Sequence, residues 1–267
     1  GHVFHSYFGT LKTNFYKNIE RNLAKKSTKI IAKSEIQKKE LSEIHNICSP
    51  KKIEVIPLGF DLEKFKTNKD VKRKEFRNKW NINDNEIAIG IIGRLVPIKN
   101  HKFFIDSIQQ ILTKSDMPIR AFIVGDGEEK ENLFKYLKLK NLDYSKDSNR
   151  ATFQFTSWIK EIDVVNAGMD IICLCSLNEG TPVSLIEAQA SGKPIVSTKT
   201  GGIENIVIEN KSALLSEKND LNSFSNNLLD LINNPNKRLF FSRHGEAKSK
   251  DFHYSNLIDN IKKLYEI

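Results

Sequence analysis

The sequence predicts an α/β fold in which helices cover both faces of a parallel sheet. From Lys29 onward, short apolar runs alternate with longer amphipathic stretches, which is the pattern of repeated strand–helix units. The run Ile87–Gly93 is apolar throughout, as expected for a strand buried on both faces. A length of 267 residues, with 39% apolar and 28% charged residues, is typical of a globular protein with a sizeable core.

Eight apolar runs are the candidate strands. In chain order they are Lys29–Lys33, Ile53–Ile56, Ile87–Gly93, Ile119–Gly125, Thr152–Phe155, Asp170–Cys175, Pro194–Thr198 and Ala213–Ser216. Each run is short, and polar or loop-forming residues follow it, as expected where a strand ends.

Capping residues and apolar periodicity predict helices between these strands. Ser34 and Gln37 form a predicted capping box for a helix that continues to about His45. Asn100 is predicted to cap a helix whose apolar residues recur on one face. The other predicted helices are Thr67–Asn85, Glu128–Leu139, Ile162–Ala167, Val183–Ser191, Asp220–Ile232 and the amphipathic tail Tyr254–Ile267.

A change in character between Gly59 and Asp70 predicts a domain boundary. The polar, charged stretch that follows contains no strand, and the strand–helix pattern starts afresh after it. We therefore expect three segments: residues 1–60, the end of one α/β domain with a linker; 61–250, a nearly complete second α/β domain; and 251–267, a separate helix.

Net charge and cysteine usage narrow the class of protein. A net charge of +9 favours anionic partners such as phosphates or an acidic membrane face. No aromatic-interleaved basic motif is present, so nucleic-acid binding is not expected. Cys173 and Cys175 alternate along one predicted strand, which indicates buried, reduced thiols in a cytoplasmic protein. The Cys and His spacing matches no metal site, and the longest apolar run is too short to cross a bilayer.

The most informative segment contains Glu179 and Glu187, eight positions apart. Glu179 precedes a Gly-Thr-Pro turn after a predicted strand, and Glu187 follows in the next helix. The start of that helix offers free N–H groups and a positive dipole end, where phosphates bind. The carboxylates can accept hydrogen bonds from sugar hydroxyls. An acidic surface helix is the alternative, and the turn between two strands favours the binding interpretation.

Three further motifs follow predicted strands. The first is Gly93–Asn100, in which Arg94 offers a planar fork and Lys99 a mobile charge to a diphosphate; a solvated basic loop is the alternative. The second motif is Val124–Glu128, in which the glycines allow close approach to the backbone. Alternatively, this segment is a turn that leads into a helix capped by Asp126.

The last of these motifs, Thr200–Asn205, contains a glycine pair that forms either an N–H concavity or a helix start. All four motifs are predicted at the carboxyl ends of strands in one domain. A single crevice at that edge of the sheet would collect them.

The order and spacing of these motifs resemble family 4 of the retaining glycosyltransferases. The matching segments are Gly93–Asn100, Val124–Gly127, Glu179–Val196 and Gly201–Ile203, and the resemblance extends from about Ile53 to the C-terminus. It implies the GT-B architecture of two Rossmann-like domains. Residues 1–60 would then end the acceptor domain, 61–250 would bind the nucleotide sugar, and 251–267 would cross back to the first domain.

The resemblance implies roles for individual residues. Arg94 and Lys99 would hold the donor diphosphate and Glu179 would face the transferred sugar, which makes these three the predicted catalytic residues. Glu187 would accept from the ribose hydroxyls, and the backbone of Ile159 would lie near the base. The predicted donor-binding set is Gly93, Arg94, Lys99, Gly125, Ile159, Glu179, Gly180, Thr181, Pro182, Val183 and Glu187. The expected donor is a UDP-sugar, with no metal and no other cofactor.

The acceptor is expected to be a saccharide or a lipid-linked molecule in cell-surface polysaccharide or glycolipid synthesis, with peripheral contact at the inner face of an acidic membrane. Two alternatives stay open: a nucleotide-sugar 2-epimerase of the same fold, and a non-catalytic fragment that binds nucleotide sugars. The second arises because residues 1–52 match only the end of the family's first domain, so about a hundred residues are expected before Gly1. His2 and His5 fall in a region that resembles a histidine loop of the family. Each of them is either a functional residue or a histidine without a functional role.

Overall fold

The computed structural model describes residues 10–147 and 149–265, and the chain divides into two structural units. One unit ends at Asp61 and also contains the segment that begins at Phe252; the other spans Leu62–Asp251. These divisions lie next to the predicted boundaries at residues 60 and 250. The acceptor, donor and crossover roles assigned to the segments stay predictions. The candidate histidines His2 and His5 lie outside the described residues.

Helices and strands alternate along the described chain. The strands are β1 (Ile30–Ala32), β2 (Ile53–Val55), β3 (Ile87–Ile92), β4 (Ile119–Val124), β5 (Tyr144–Ser145), β6 (Phe153–Ser157), β7 (Ile171–Leu174), β8 (Ile195–Thr198) and β9 (Ala213–Ser216). The α-helices are α1 (Thr10–Lys26), α2 (Glu35–Lys39), α3 (Glu63–Lys66), α4 (Lys69–Lys79), α5 (His101–Leu112), α6 (Lys130–Leu139), α7 (Ile162–Gly168), α8 (Val183–Ala190), α9 (Ile203–Ile206), α10 (Leu221–Asn233), α11 (Pro235–Ser249) and α12 (Tyr254–Tyr265).

The larger unit is built on a seven-stranded sheet in the order β5-β6-β4-β3-β7-β8-β9. Every neighbouring pair is parallel, and Ile89 of β3 lies between Ala121 of β4 and Ile171 of β7. This confirms the predicted α/β class. The strands are nearly continuous apolar runs because both of their faces are buried.

Helices cover both faces of this sheet. Helices α5, α6 and α10 pack together over one face, and α4, α7, α8 and α11 pack over the other. Ile87, Ile89 and Ile91 of β3 belong to the core on the α5 side. On the opposite side Phe122 of β4 meets Phe76 of α4, with 5.3 Å between ring centroids. Each such fully buried side chain contributes about 1.5–3 kcal/mol to folding.

All eight predicted strands overlap observed ones, and the elements that were missed include β5 and α11. Strand β5 has only two residues, too few for a periodic pattern, and it pairs with β6 at the edge of the sheet. Helix α11 was missed although Pro235 stands at its first turn, a position that favours proline. The predicted helix Thr67–Asn85 forms only over α4.

The two predicted helix caps differ in outcome. Ser34 accepts from the Gln37 N–H at 3.2 Å, which confirms the cap, and the Gln37 side chain accepts from the Lys33 N–H at 2.7 Å. The helix to about His45 continues past α2 as a π-helix over Glu40–Ile44. Asn100 does stand at the N-cap position of α5, as predicted, but it is left-handed (φ +55°) and its side chain makes no capping bond with the described residues.

The smaller unit contains a two-stranded parallel sheet and the tail helix. Strands β1 and β2 pair with Ile30 opposite Ile53. The predicted tail helix is confirmed as α12. The chain around it is held by the Phe60 N–H, which donates to the Phe252 carbonyl at 2.9 Å. A Cβ at Gly59 would lie 2.7 Å from the Cβ of Leu257, so this glycine permits close packing of the helix.

The predicted buried thiols are confirmed. Cys173 and Cys175 are free and buried, and burial raises the pKa of both thiols. Cys175 lies just beyond the end of β7. None of the helices that the structure describes combines the length and the apolar character needed to cross a membrane.

Candidate functional site

Five loops of the larger unit lie at one edge of its sheet. They follow β3, β4, β6, β7 and β8, whose carboxyl ends share that edge because the strands are parallel. The chain order reverses at β3, since β4 lies on one side of it and β7 on the other. Ligands of open parallel sheets bind in the crevice at such a reversal point. The four motifs predicted from the sequence all occupy loops at this edge.

Lys99 and Glu179 form an ion pair between the loops after β3 and β7. The Lys99 Nζ lies 2.5 Å from Glu179 Oε1, and the loops also meet where the Leu177 N–H donates to the Ile98 carbonyl at 2.9 Å. The side chains are 22% and 11% exposed respectively, so water screens the pair less than a surface ion pair. The structure thus brings two of the three predicted catalytic side chains together at the reversal point.

Arg94, the third predicted catalytic residue, is exposed on the loop after β3. Its guanidinium makes no hydrogen bond or ion pair with the described residues. The next residue, Leu95, is fully buried and anchors the loop, because its N–H donates to the Asp126 carbonyl and its own carbonyl accepts from the Glu129 N–H, each at 2.9 Å. The five N–H donors of Arg94 are therefore available to an anionic ligand.

Gly125 lies where the loop after β4 packs against the loop after β3. Its φ is +137°, and a Cβ there would lie 2.0 Å from the Gly93 carbonyl oxygen. A Cβ at Gly127 would similarly lie 2.4 Å from the Leu95 carbonyl oxygen. These glycines therefore allow close approach between two loops of the protein itself. Donor binding by Gly93 and Gly125 stays a prediction.

Asp126 does not cap α6, contrary to one interpretation of the sequence, because that helix begins at Lys130. Its carboxylate accepts from the Lys130 Nζ at 2.7 Å, the Ser157 Oγ at 2.6 Å and the Gly127 N–H at 2.8 Å. The hydrogen bonds from Lys130 and Ser157 lower the pKa of Asp126 to about 2. Asp126 therefore joins the loop after β4 to the end of β6. From Ser157 the chain continues into an exposed Trp158 and a half-buried Ile159.

The start of α8 lies directly after Glu179. Pro182 precedes the helix, and no side chain caps its first turn, so backbone N–H groups and the positive end of the helix dipole are open to a ligand. Pro182 is buried, Thr181 is half-buried and Val183 is exposed. A Cβ at Gly180 would meet no heavy atom of the described residues within 4 Å, so among these residues there is open space beside the helix start.

The glycine pair Gly201 and Gly202 packs against this turn. A Cβ at Gly201 would lie 1.7 Å from the Glu179 carbonyl oxygen, and one at Gly202 would lie 2.3 Å from that of Gly180. Helix α9 begins immediately afterwards at Ile203, which confirms the helix-start interpretation of this motif. The pair thereby fixes the main chain that carries Glu179.

Glu187 lies on α8 and is half-buried. Its carboxylate makes no hydrogen bond or ion pair with the residues that the structure describes. Burial raises the pKa of Glu187 to about 7, and nearby Lys64 opposes this shift while Asp163 adds to it. Asp163 is itself paired with Lys72 at 2.9 Å. Glu187 is therefore an unpaired acceptor whose charge depends on pH near neutrality.

Three hydroxyl residues of the site were given no role from the sequence, although Thr200 stands in one of the predicted motifs. Ser176, which is fully buried, donates to Glu179 Oε1 at 2.6 Å. Thr198 donates to the Ser176 carbonyl and Thr200 to the Leu177 carbonyl, each at 3.0 Å. The only available signal was that each follows or ends an apolar strand. Among the described residues, no three His, Cys, Asp or Glu side chains are grouped to hold a metal ion.

The profile of the family described as Glycosyl transferases group 1 matches residues 72–248. An Escherichia coli UDP-Gal:alpha-D-GlcNAc-diphosphoundecaprenol alpha-1,3-galactosyltransferase is 31% identical over 255 residues, which cover 94% of this chain and 63% of the relative. A Corynebacterium urealyticum D-inositol 3-phosphate glycosyltransferase is 26% identical, over 80% of this chain and 51% of the relative. The chain thus spans between about half and two thirds of the length of these relatives.

Solved structures show the same fold. A crystal structure of Anabaena Alr3699/HepE in complex with UDP superposes with a TM-score of 0.83 at 21% identity. The match covers 97% of this chain and 68% of the Anabaena chain. The C-terminal domain of the Francisella tularensis protein LpcC, a glycosyl transferase group 1 family protein, gives a TM-score of 0.60 at 22% identity over 72% of this chain and 97% of its own. Both likenesses support the predicted Rossmann-like sheet of the GT-B architecture. With most of its length inside the family match, the chain belongs to the group 1 glycosyl transferases.

Proposed function

We propose that the protein transfers a sugar from a UDP-sugar to an acceptor hydroxyl with retention of anomeric configuration. The observation that carries this proposal is the Lys99–Glu179 pair at the reversal point of the sheet, beside the uncapped start of α8. A cation, a carboxylate and a helix N-terminus are the groups that a sugar attached to a diphosphate requires. The UDP bound in the Anabaena structure and the UDP-sugar named for the Escherichia coli relative support a uridine donor.

The site residues would stabilise the departing nucleotide. Arg94, Lys99 and the dipole of α8 supply positive charge where UDP gains negative charge, and preorganised donors of this kind are worth about 3 kcal/mol each in a transition state. The acceptor oxygen bonds to the anomeric carbon on the face that UDP leaves, and the acceptor proton passes to the departing phosphate oxygen. Because the protein supplies the positive charge, we expect UDP binding to be unaffected by a metal chelator.

Glu187 would accept hydrogen bonds from the ribose, and this role predicts a pH dependence. The ionised carboxylate accepts strongly with both oxygens, whereas protonation turns one oxygen into a donor and weakens the other, and the pKa of Glu187 is about 7 in the free protein. The contribution to binding should be present above pH 7 and be lost as the pH falls. Between pH 8 and pH 6 the Kd for UDP-glucose should rise about tenfold.

Isothermal titration calorimetry with UDP-glucose is the measurement, since its diphosphate has no group that titrates in this range. Glu187→Gln is the matched variant. It should lower the affinities for UDP and UDP-glucose by the same factor, and its UDP-glucose affinity should not change between pH 8 and pH 6. A parent affinity that is constant over this range would contradict the ribose contact.

Glu179 would bind the sugar rather than the nucleotide. Glu179→Gln keeps the shape of the side chain and removes its charge, so UDP-glucose affinity should fall about fivefold while UDP affinity stays within about twofold. The control is Glu75→Gln, an exposed acid on α4 that should affect neither ligand. Equal losses for UDP and UDP-glucose would place Glu179 at the nucleotide instead.

The acceptor is proposed to be a saccharide or lipid-linked molecule, as in polysaccharide or glycolipid synthesis. The support is the Escherichia coli relative, which is named for a diphosphoundecaprenol acceptor. The net charge of +9 would favour loose attachment to the inner face of an acidic membrane from the cytoplasm.

Two experiments test the function in turn. Calorimetry of this chain with UDP, UDP-glucose, UDP-galactose and GDP-mannose tests donor binding. If the chain binds none of these four ligands, the proposal is contradicted. Transfer of radiolabel from the bound donor to undecaprenyl-diphosphate sugars, with the longest available form of the protein, tests the reaction. Binding without transfer supports the non-catalytic alternative, and interconversion of UDP-N-acetylhexosamines supports the 2-epimerase alternative.

A further inference from the structure

We infer that Ser176 is a positioning residue for the donor sugar: its hydroxyl and the Lys99 ammonium hold one oxygen of Glu179, so that the other oxygen is presented to the sugar. This inference rests on the proposed function and names a residue that determines sugar recognition. It depends on three observations of the site: how Ser176 is fixed, which oxygen of Glu179 it holds, and what surrounds the other oxygen.

Ser176 is held rigidly at the end of β7. Its side chain is fully buried, and its carbonyl accepts from Thr198 Oγ1 at the end of β8. The adjacent carbonyl, of Leu177, accepts from Thr200 Oγ1. The Gly201 turn then packs against the main chain of Glu179. Both ends of the Ser176–Glu179 segment are therefore fixed by the following strand and its loop, so the Ser176 hydroxyl has a defined position.

Ser176 and Lys99 both donate to the same oxygen of Glu179. The Ser176 Oγ is 2.6 Å and the Lys99 Nζ 2.5 Å from Oε1. The two donors come from the loops on either side of the reversal point, so they fix the rotation of the carboxylate as well as its place. Lys99 alone would not do this, because an ammonium can attract either oxygen or both.

The second oxygen, Oε2, makes no hydrogen bond with any residue in the described part of the chain. Glu179 itself is only 11% exposed, so few water molecules reach it. The next residue, Gly180, borders open space. Oε2 is not among the fully buried side-chain atoms without a partner, so it faces the open space, where a sugar hydroxyl can donate to it. The fixed rotation therefore makes Oε2 the atom that recognises the sugar.

Ser176→Ala tests the inference through the difference between two probes, UDP and UDP-glucose. Without the hydroxyl the carboxylate can rotate toward Lys99 and withdraw Oε2. UDP-glucose affinity should then fall about fivefold, whereas UDP affinity should stay within about twofold. Ser197→Ala is the matched control, since Ser197 is equally buried on the adjacent strand and, among the described residues, its hydroxyl donates only to the Thr198 carbonyl, at 3.1 Å. It should change neither affinity.

A double-mutant cycle separates positioning from a structural effect. In a Glu179→Ala background, Ser176→Ala should lower UDP-glucose affinity no further, because the residue that it positions is absent. Ser176→Cys, with a weak donor of similar shape, should act in the same direction as Ser176→Ala and serves if the alanine variant does not fold. Equal losses for both probes, an undiminished effect in the Glu179→Ala background, or unchanged UDP-glucose affinity would each overturn the inference.

The failure of this inference differs from a failure of the proposed function. If the parent protein binds UDP-glucose and Ser176→Ala binds it equally well, only the positioning role falls. If the parent binds neither UDP nor UDP-glucose, the proposed function falls and the inference falls with it.

Discussion

Lys99→Ala is expected to weaken the binding of UDP and UDP-glucose alike, by roughly 10- to 150-fold. The ammonium has three N–H donors, and Glu179 occupies one of them in the free protein. The other two remain for phosphate oxygens, so the ion pair does not have to break when a diphosphate binds. Loss of a charged hydrogen-bond partner costs about 1.5–3 kcal/mol, which corresponds to this range. The unpaired Glu179 carboxylate would also repel the diphosphate.

Calorimetric titration of both ligands measures this effect, and Lys102→Ala is the control. Lys102 is exposed on α5, and its Nζ lies over the Tyr136 ring, 5.5 Å from the ring centroid. Lys102→Ala removes one positive charge, as Lys99→Ala does, from a position close by in the sequence. Because Lys102 is not paired with Glu179, the affinities for UDP and UDP-glucose should stay within about twofold. A similarly small change for Lys99→Ala would remove Lys99 from the diphosphate site. A loss confined to UDP-glucose would instead make Lys99 a partner of Glu179 only.

The sequence was sufficient to predict the sheet because its central strands are buried on both faces. The continuous apolar run Ile87–Ile92, and the run Ile119–Val124 that only Arg120 interrupts, have few other interpretations when helical stretches separate them. Parallel strands also place every loop after a strand at one edge. The positions of the two basic residues and the two glutamates along the chain are therefore enough to assign them to one edge of the sheet.

The contacts within the site could not be predicted in the same way. Lys99 and Glu179 are 80 residues apart, and they meet only because β7 pairs with β3 rather than with β6, which precedes it in the chain. Strand order depends on how the helices pack, which periodicity does not encode. The contact of Ser176 with Glu179 was missed for the same reason, since it needs the exact turn that the Gly201 loop imposes.

The two structural uses of asparagine explain why the side chain of Asn100 makes no capping bond although the residue stands at the helix start. Eight non-glycine residues in the described chain have a positive φ, and seven of them are asparagine. Asn81 and Asn141, for example, follow the ends of α4 and α6. Asparagine tolerates the left-handed conformation that is common after the end of a helix. Its side chain can also cap the start of a helix. Asn100 matched the capping signal, yet its conformation is the left-handed one.

Gly201→Ala is expected to destabilise the protein by about 3 kcal/mol, through a left-handed conformation that alanine adopts poorly and a steric clash. Its φ is +54°, and the new Cβ would lie 1.7 Å from the Glu179 carbonyl oxygen. The contact is with main chain, so no side-chain rotation relieves it. Thermal or urea unfolding measures the loss of stability. At a temperature where the variant stays folded, UDP-glucose affinity should fall more than UDP affinity, because the displaced segment carries Glu179.

Gly180→Ala is the matched variant on the other side of this contact. Gly180 lacks a left-handed φ, and a Cβ there meets no heavy atom within 4 Å in the part of the chain that the structure describes, so the free energy of unfolding should change by less than about 1 kcal/mol. If the space beside Gly180 receives the donor, the added methyl group should nevertheless weaken UDP-glucose binding. The two glycines then separate the two requirements of the site: Gly201 maintains the turn, and Gly180 keeps the space open. Equal stability of the two variants would show that the loop after β8 does not hold Glu179 in place.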